Sequence, residues 1–347
     1  MLSSAAWRRF VFLSLLVVSS SAVHGQSPSR DSQPVIDVHI HAFNIADFGP
    51  GPAICSDNRG IEWKGWDQHA AFDLANAGTC SASMSPAPKD DASLLRETLA
   101  AFTRYNVVAA VTSGSTENVD KWYNASRSRI IRAASFFAEG YDSLGRPRMR
   151  DIAELRSLVK QGRVAVFAEI TQQYRGMAPN DPQLEPYFAL AEELGVPVGI
   201  HMGEGPPGGA NVESYEKYRV ALGNPLLLED VLVRHPRMRV YVMHYGSPFV
   251  DDMIALMFSY PQVYVDVAQN DWGFPREHFY SQLKRLVDAG FSQRIMFGSD
   301  QMIWPQTIGL AISTIKEAPF LTAQQKRDIL YNNAARFLRL KVTPPGK

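Results

Sequence analysis

The amino-acid sequence predicts a single-domain α/β protein with a (β/α)8 TIM-type barrel, and three observations support that fold class. Short apolar segments alternate with amphipathic helical segments, which is typical of a parallel sheet covered on its faces. Eight strand segments can be counted, each separated from the next by a helical stretch. The stretch from residue 26 to residue 347 has room for one barrel, which needs about 250 residues plus insertions. A doubly wound open sheet is the alternative.

The predicted strands are near-continuous apolar runs, and they cover residues 35–41, 107–111, 130–137, 164–169, 196–201, 240–244, 263–267 and 294–300. Apolar residues at helical spacing predict helices near residues 94–102, 116–126, 152–159, 186–194, 226–233, 253–258 and 279–286. One long insertion follows the first strand, from Phe43 to about Asp90, and it is rich in Gly, Pro, Ser and Asp. An insertion of this length in a compact domain is typically a functional lid or a disordered segment.

Residues 1–25 have the pattern of a signal peptide. Arg8 and Arg9 precede an apolar run over residues 10–18, and small residues precede a plausible cleavage before Gln26. The paired arginines leave the twin-arginine route open, and an uncleaved anchor is another alternative. We therefore expect an exported protein, periplasmic or secreted, whose barrel domain covers residues 26–347. No later apolar stretch is long enough to span a bilayer.

The cysteine content and the charge balance further restrict the possible functions. Cys55 and Cys80 both lie in the long insertion, and two cysteines in an exported chain predict a disulfide, with two free thiols as the alternative. Lys and Arg number 35, Asp and Glu also number 35, and no basic block is present. The sequence therefore lacks the electrostatic pattern of a nucleic-acid-binding protein.

Two histidines at the end of the first strand are the strongest single motif. Val35-Ile36-Asp37-Val38-His39-Ile40-His41 is an apolar run that ends in His-x-His. Side chains at positions i and i+2 of a strand point to the same face, so both imidazoles would lie side by side. Neutral imidazole is the commonest protein metal ligand, although a polar strand end is the ordinary alternative.

Four further strand ends carry residues that can bind a metal. In a parallel barrel the carboxyl ends of all strands meet at one rim, where active sites are built. Agreement of five strand ends by accident is improbable, so the sequence predicts a metal site at this rim. The candidate ligands are His39, His41, Glu169, His201, His244 and Asp300.

A family resemblance rests on these motifs in their order along the chain. The sequence resembles the amidohydrolase superfamily in its Asp-x-His-x-His strand (Asp37 to His41), its later strand-end histidines, Gly298-Ser299-Asp300 and the C-terminal Asn-Asn-Ala-Ala-Arg (332–336). More narrowly, it is similar to the amidohydrolase-related group that contains aminocarboxymuconate-semialdehyde-type decarboxylases. The resemblance spans nearly the whole mature chain and is specific to the superfamily, not to a substrate.

The resemblance implies a ligand set with one open choice. His39, His41 and Asp300 would hold one divalent metal, and His201 would join that site or hold a second metal with His244. Glu169 occupies the place of a bridging carboxylate or carbamylated lysine in two-metal relatives. In the one-metal alternative, His244 positions the attacking water and Glu169 orients the ligands. Zinc suits such a site, and manganese is the alternative.

The predicted function is a metal-dependent hydrolase acting on an amide, ester, lactone or related bond of a small molecule. A metal-activated water would attack the bond, and Asp300 would move its proton. One alternative is a decarboxylase or hydratase on the same scaffold. The other is an exported barrel that only binds a ligand or partner. Family members are often dimers, so the resemblance also leaves a homodimer open.

The substrate contacts are predicted from aromatic and basic residues near the rim. Tyr174, Arg175, Trp272 and Trp304 are the candidates, with Phe43, Trp63 and Trp66 beside them, and loop packing is the alternative for all. Aromatic side chains near a metal favour an apolar or ring-bearing molecule, and Arg175 could bind its carboxylate. The segment from Gly203 to Gly208 matches a dinucleotide-binding pattern, but its two prolines lack the N–H donors that a phosphate needs. It predicts a rigid turn at the rim.

Overall fold

A computed structural model describes residues 33–48, 53–73, 77–141, 147–212, 215 and 217–340 of the chain. The signal peptide expected over residues 1–25 lies outside the described residues. Eight parallel strands form one sheet whose order follows the chain. They are β1 (Val35–Ala42), β2 (Val107–Gly114), β3 (Ile130–Ala134), β4 (Val166–Ile170), β5 (Val198–His201), β6 (Val240–Met243), β7 (Val263–Asp266) and β8 (Ile295–Met296). This confirms the predicted (β/α)8 barrel.

The sheet closes on itself between β1 and the segment that follows β8. Ile40 forms a parallel bridge with Gln301, and the His41 N–H donates to the Gln301 carbonyl over 2.8 Å. The Val38 N–H donates to the Phe297 carbonyl over 3.0 Å. These backbone hydrogen bonds replace the open edges that a doubly wound sheet would have, so the closed form of the two predicted architectures is the observed one.

Helices alternate with the strands and cover the outside of the sheet. They are α1 (Asp91–Arg104), α2 (Thr116–Ala125), α3 (Ile152–Lys160), α4 (Glu185–Leu194), α5 (Glu229–Arg234), α6 (Val250–Ser259), α7 (Asn270–Gly273), α8 (Arg276–Asp288), α9 (Gln306–Glu317), α10 (Ala323–Arg327) and α11 (Asn333–Phe337). Asp90, Ser115 and Asp151 cap α1, α2 and α3 by accepting a backbone N–H three residues on. Caps of this type satisfy donors that the first helical turn leaves free. Among the described helices, none combines the length and apolarity that crossing a bilayer requires.

Two of the elements that differ from their predicted extent do so for local reasons. The apolar run 130–137 is not one strand, because β3 ends at Ala134 and Phe137–Tyr141 pairs with Pro147–Met149 instead. The Ser135 hydroxyl accepts the Phe137 N–H at this change of direction. The predicted helix near 226–233 begins as a 3-10 turn, Pro225–Leu228, and only then becomes α5.

The insertion after β1 has short regular elements that its composition did not predict. Ala53–Cys55 pairs with Met84–Pro86, and Glu62–Trp63 pairs with Gly78–Thr79, both antiparallel. Cys55 and Cys80 form a disulfide with a Cα–Cα distance of 5.7 Å, which confirms the predicted bond. A cross-link between cysteines 25 residues apart stabilises by about 3.5 kcal/mol on a chain-entropy estimate.

The interior of the barrel is filled by side chains from alternate strands. Tyr241 is fully buried there, and its hydroxyl donates to the Val38 carbonyl over 3.1 Å. The neighbouring strand carries Gly199, where an added Cβ would lie 2.4 Å from the Tyr241 ring. A residue without a side chain is therefore required beside this tyrosine.

Replacing Gly199 by alanine is expected to lower the free energy of unfolding by about 2 kcal/mol, since a hydrogen-bonded, enclosed tyrosine cannot move aside. Urea denaturation followed by tryptophan fluorescence measures the effect. Gly65→Ala is the control, because nothing lies within 4 Å of its added Cβ. Equal stability of Gly199→Ala and the natural protein would show that the interior is not packed as described.

Candidate metal centre

The six predicted ligands lie together at the carboxyl end of the barrel. His39 and His41 belong to β1, Glu169 to β4 and His201 to β5. His244 directly follows β6, and Asp300 lies in the segment after β8. The four histidines and Asp300 are at most 5% exposed. Subsets of these residues place one potential ligand atom each within 4.8 Å of one another. The barrel therefore gathers a His-rich, carboxylate-containing cluster that could bind a divalent metal.

Glu169 lies between two pairs of histidines and offers one oxygen to each pair. Its Oε2 is 3.4 Å from His41 Nε2 and 3.7 Å from His39 Nε2. Its Oε1 is 2.6 Å from His201 Nδ1 and 3.5 Å from His244 Nε2. A carboxylate in this position can bind two cations at once or hold one while orienting the other pair.

Asp300 completes the group around His39 and His41. Its Oδ1 is 2.9 Å from His41 Nε2 and 3.6 Å from His39 Nε2. Asp300 Oδ1 and His39 Nε2 are both buried and have no hydrogen-bond partner. Buried polar atoms are nearly always paired, and a cation between these two atoms would satisfy both. The donor set thus fits a divalent metal.

In three of the histidines, Nδ1 has a hydrogen-bond partner that fixes the ring. His39 Nδ1 is 3.1 Å from Asp266 Oδ2, His244 Nδ1 is 2.9 Å from the Ala268 carbonyl, and His41 Nδ1 is 2.8 Å from Ser113 Oγ. A carboxylate and a carbonyl only accept, so Nδ1 of His39 and of His244 carries the proton. The Nε2 lone pairs then face the cluster, which is the arrangement of metal-binding histidines.

Asp266 is the residue whose role the sequence did not predict. It ends β7, and besides His39 it accepts the His244 N–H through Oδ1 over 2.8 Å. One buried carboxylate therefore orients two candidate ligands from two different strands. The sequence signal was a single acidic residue within the apolar run 263–267.

The electrostatics of the cluster favour positive charge. Burial raises the pKa of Glu169, but hydrogen bonds from His201 and His244, together with the charge of His39, outweigh it and hold the pKa well below its usual range. Burial likewise raises the pKa of Asp300, and the nearby His39 and His41 lower it overall. Both carboxylates are therefore ionised, as metal ligands must be.

The histidines respond to the same charges. Burial lowers the pKa of His39, yet Asp300 and Asp266 outweigh burial and raise it well above its usual value. Burial lowers the pKa of His244, but its hydrogen bond to Glu169 and the charges of Asp300 and Asp266 together outweigh burial and raise the pKa. Burial and the adjacent His244 lower the pKa of His201, which keeps that imidazole neutral. A second proton on His39 or His244 would occupy Nε2, so this proton and a metal ion would compete for the same nitrogen.

Backbone strain is concentrated at two of the candidate ligands. His244 and Asp300 have left-handed φ angles of 58° and 46°, and neither residue is glycine. Such conformations cost on the order of 1 kcal/mol or more each and persist where the surroundings impose them. Here the Asp300 N–H donates to the His39 carbonyl over 2.8 Å, which ties the turn to β1.

A cavity of about 700 Å³ opens above the cluster and contains all four predicted substrate-contact residues. Tyr174 donates from its hydroxyl toward His201 Nε2 at 3.1 Å, and the Arg175 guanidinium lies 4.5 Å from the centre of the Phe137 ring. Trp272 and Trp304 also line the wall. The insertion contributes Trp63 and the Cys55–Cys80 disulfide to the same cavity, whereas Trp66 lines a neighbouring one. The insertion therefore covers the cluster.

Asp266→Asn is expected to weaken zinc binding by about 10- to 100-fold, because an amide nitrogen would place a donor against the protonated His39 Nδ1. Competition with a chromophoric chelator measures the dissociation constant. Asp288→Asn is the control, since Asp288 pairs only with Lys284 on the surface of α8 among its described contacts. An unchanged affinity in a folded Asp266→Asn protein would exclude the orienting role.

Comparison with known proteins places the chain in a family. The sequence model of the Amidohydro_2 family, described as amidohydrolase, matches residues 36–340. A curated relative, protein fluG of Emericella nidulans, is 24% identical over 138 residues, which are 35% of this chain and 16% of that protein. The chain thus spans about a sixth of the length of this relative.

Three solved structures share the fold at low identity. A probable 2-pyrone-4,6-dicarboxylic acid hydrolase from Acinetobacter baumannii has a TM-score of 0.54 at 15% identity, over 88% of this chain and 99% of that one. An amidohydrolase from Burkholderia multivorans with bound zinc has a TM-score of 0.54 at 14% identity, over 89% and 100%. A 2,6-dihydroxybenzoate decarboxylase has a TM-score of 0.50 at 13% identity, over 70% and 87%.

These structural similarities are at identities that establish the fold alone. The family match is stronger, because it runs from β1 to the end of the described barrel and includes every candidate metal ligand. The chain belongs to the amidohydrolase family of metal-dependent enzymes, as the ordered strand-end motifs predicted.

Proposed function

We propose that the protein is a metal-dependent hydrolase that cleaves an amide, ester, lactone or related bond of a small molecule. The observation that carries the proposal is Glu169, whose two carboxylate oxygens each face a different pair of histidines. This arrangement suits two metal ions bridged by one carboxylate, a common design for hydrolysis. The Acinetobacter structure, whose name describes a probable hydrolase, lends the proposal support from the same fold.

The chain's residues divide between two adjacent sites. His39, His41, Asp300 and one oxygen of Glu169 would hold the first ion, and His201, His244 and the other oxygen would hold the second. When bound, divalent ions polarise a substrate carbonyl and lower the pKa of a water molecule to about 7. Zinc suits this donor set and is bound in the Burkholderia amidohydrolase, and manganese is the alternative.

Asp300 is proposed to move the proton. It lines the cavity, and its low pKa keeps it ionised and able to accept. It would take a proton from the attacking water and deliver it to the leaving group. If only one ion is bound, His244 would instead position that water, which its backbone anchor to Asp266 makes possible.

The cavity wall is proposed to bind a ring-bearing substrate. Trp272 and Trp304 are both buried and line the cavity, so they present rigid aromatic surfaces. Trp272 is fixed by its indole N–H, which donates to the Ser299 carbonyl over 2.6 Å. Tyr174 and Arg175 lie at the His201 side, where Arg175 could pair with a substrate carboxylate.

Arg175 also favours a second candidate function, a decarboxylase or hydratase. An arginine in the cavity can hold the carboxylate of an aromatic acid close to the metal centre. The fold is shared with a 2,6-dihydroxybenzoate decarboxylase. Binding of a single ion would favour this reaction over bridged hydrolysis.

We further propose that the protein works outside the cytoplasm, in the periplasm or as a secreted enzyme. The signal pattern over residues 1–25 and the Cys55–Cys80 disulfide support this location, since disulfides persist in oxidising compartments. A homodimer stays a prediction from the family resemblance.

Glu169→Ala should lower the metal content from about two ions per chain to one or fewer, because both sites lose a shared ligand. Mass spectrometry of protein purified without chelator gives the stoichiometry. Glu193→Ala is the control, as Glu193 is exposed and pairs with Arg156. One ion in both Glu169→Ala and the natural protein would remove the bridging role and favour the decarboxylase.

Stringent metal removal is expected to abolish hydrolysis in a screen of lactones, esters and amides, and added zinc or manganese should restore it. Asp300→Asn should lower kcat by about 10²- to 10⁴-fold, because the amide cannot accept the water proton. Carbon dioxide release from aromatic acids is assayed in parallel. Full activity of metal-free protein would contradict the proposal.

A further inference from the structure

A second cavity adjoins the one above the metal cluster. It has a volume of about 610 Å³, within the range of small-molecule sites. Trp66, Phe72 and Phe274 line it, and none of these three lines the first cavity. The two cavities share wall residues on two sides, Trp63 and Ala77 from the insertion and the segment 204–207 from the loop after β5. They are neighbouring compartments of one concave surface.

Gly205 and two stacked tyrosines lie at the boundary between the compartments. At Gly205 an added Cβ would lie 2.8 Å from the Tyr174 ring and 3.1 Å from the Tyr218 ring. Tyr174 lines the metal-side cavity and Tyr218 lines the second cavity, and their rings stack with centroids 5.6 Å apart, so Gly205 packs on an aromatic pair at the boundary. The Gly205 N–H donates to the Tyr218 hydroxyl over 2.7 Å, which fixes this boundary in place.

The second compartment is held open by aromatic packing between the insertion and the barrel. Trp66 meets Phe72 edge to face at 5.6 Å, and Trp63 meets Phe274 in the same way at 6.3 Å. Phe72 in turn packs on Gly208, where an added Cβ would lie 2.0 Å from its ring. Trp63 and Trp66 are nonetheless 47% and 42% exposed. Exposed aromatic surface around a concavity is characteristic of ligand sites.

We propose that the second compartment binds a ring-sized, apolar part of the same substrate, so that the substrate is an elongated molecule with two apolar parts. This inference rests on the proposed function only for the bond that is cleaved in the first compartment. Both compartments open to solvent and share Trp63 and Glu204 at their boundary, which argues for one ligand that extends over this boundary from the first compartment into the second. The wall is mainly apolar and aromatic, with Lys64, Asp73 and Glu204 also lining it, which favours an apolar ring as the distal part of the substrate.

The test measures binding of two inhibitors to the metal-loaded protein by calorimetry. Benzoate is expected to bind in the metal-side cavity alone, and the second ring of 4-phenylbenzoate is expected to extend over the boundary into the second compartment. Trp66→Ala should weaken 4-phenylbenzoate by about tenfold and leave benzoate within about twofold. Phe258→Ala is the control, since Phe258 is 83% exposed on α6 and lines neither compartment.

Ala210→Trp provides a second variant that fills the compartment without removing existing packing. Ala210 is exposed and lines only the second compartment. It should weaken 4-phenylbenzoate selectively, as Trp66→Ala does. The proposal would be overturned if either variant lost affinity equally for both inhibitors. It would also be overturned if neither variant lost affinity selectively for 4-phenylbenzoate.

The outcome is separable from that of the proposed hydrolysis. Calorimetry requires no turnover, so selective loss of the longer inhibitor supports the second compartment even if the reaction is a decarboxylation. Conversely, metal-dependent hydrolysis combined with unselective binding would retain the proposed function and reject the elongated substrate.

Discussion

The seam that closes the barrel is the interaction on which the rest of the structure depends. The buried Asp37 carboxylate accepts the Ser299 hydroxyl over 2.6 Å, the Ser299 N–H over 3.0 Å and the His39 N–H over 3.1 Å. These bonds join β1 to the segment after β8, and they set Asp300 beside His39 and His41. Burial raises the pKa of Asp37 to about 7 although all three bonds oppose the rise. The first strand thus carries both the closure of the barrel and part of the candidate metal centre.

Two further carboxylates, the buried Asp266 and the largely buried Glu169, hold the histidines in place at the rim. Asp266 fixes His39 and His244 from β7, and Glu169 lies between the two histidine pairs from β4. Buried ionic clusters cost desolvation free energy, and they are retained where they perform a function. The cost is offset by an apolar barrel interior and by helices packed outside it. The cluster accordingly has rigid supports and few alternative arrangements.

The fold and the ligand set could be predicted because both follow from short-range patterns. Apolar runs alternating with helices specify a parallel barrel, and parallel strands bring their carboxyl ends together, so strand-end residues such as Glu169 and Asp300 became neighbours by topology.

Features that depend on long-range partners could not be predicted. Asp266 orients His39 from 227 residues away, and Asn58 anchors the insertion by accepting the Arg276 side chain over 2.8 Å. The predicted strand 294–300 shortens to β8 because Asp37 takes the Ser299 N–H.

Anomalous diffraction at the zinc edge, on crystals grown from protein purified without chelator and supplied with zinc, tests the central claim most directly. The claim is that Glu169 bridges two cation sites at the carboxyl end of the barrel. The account predicts two anomalous peaks on opposite sides of the Glu169 carboxylate, one beside His39 and His41 and the other beside His201 and His244. A single peak with Glu169 turned away from it, or no peak within this cluster, would contradict the account.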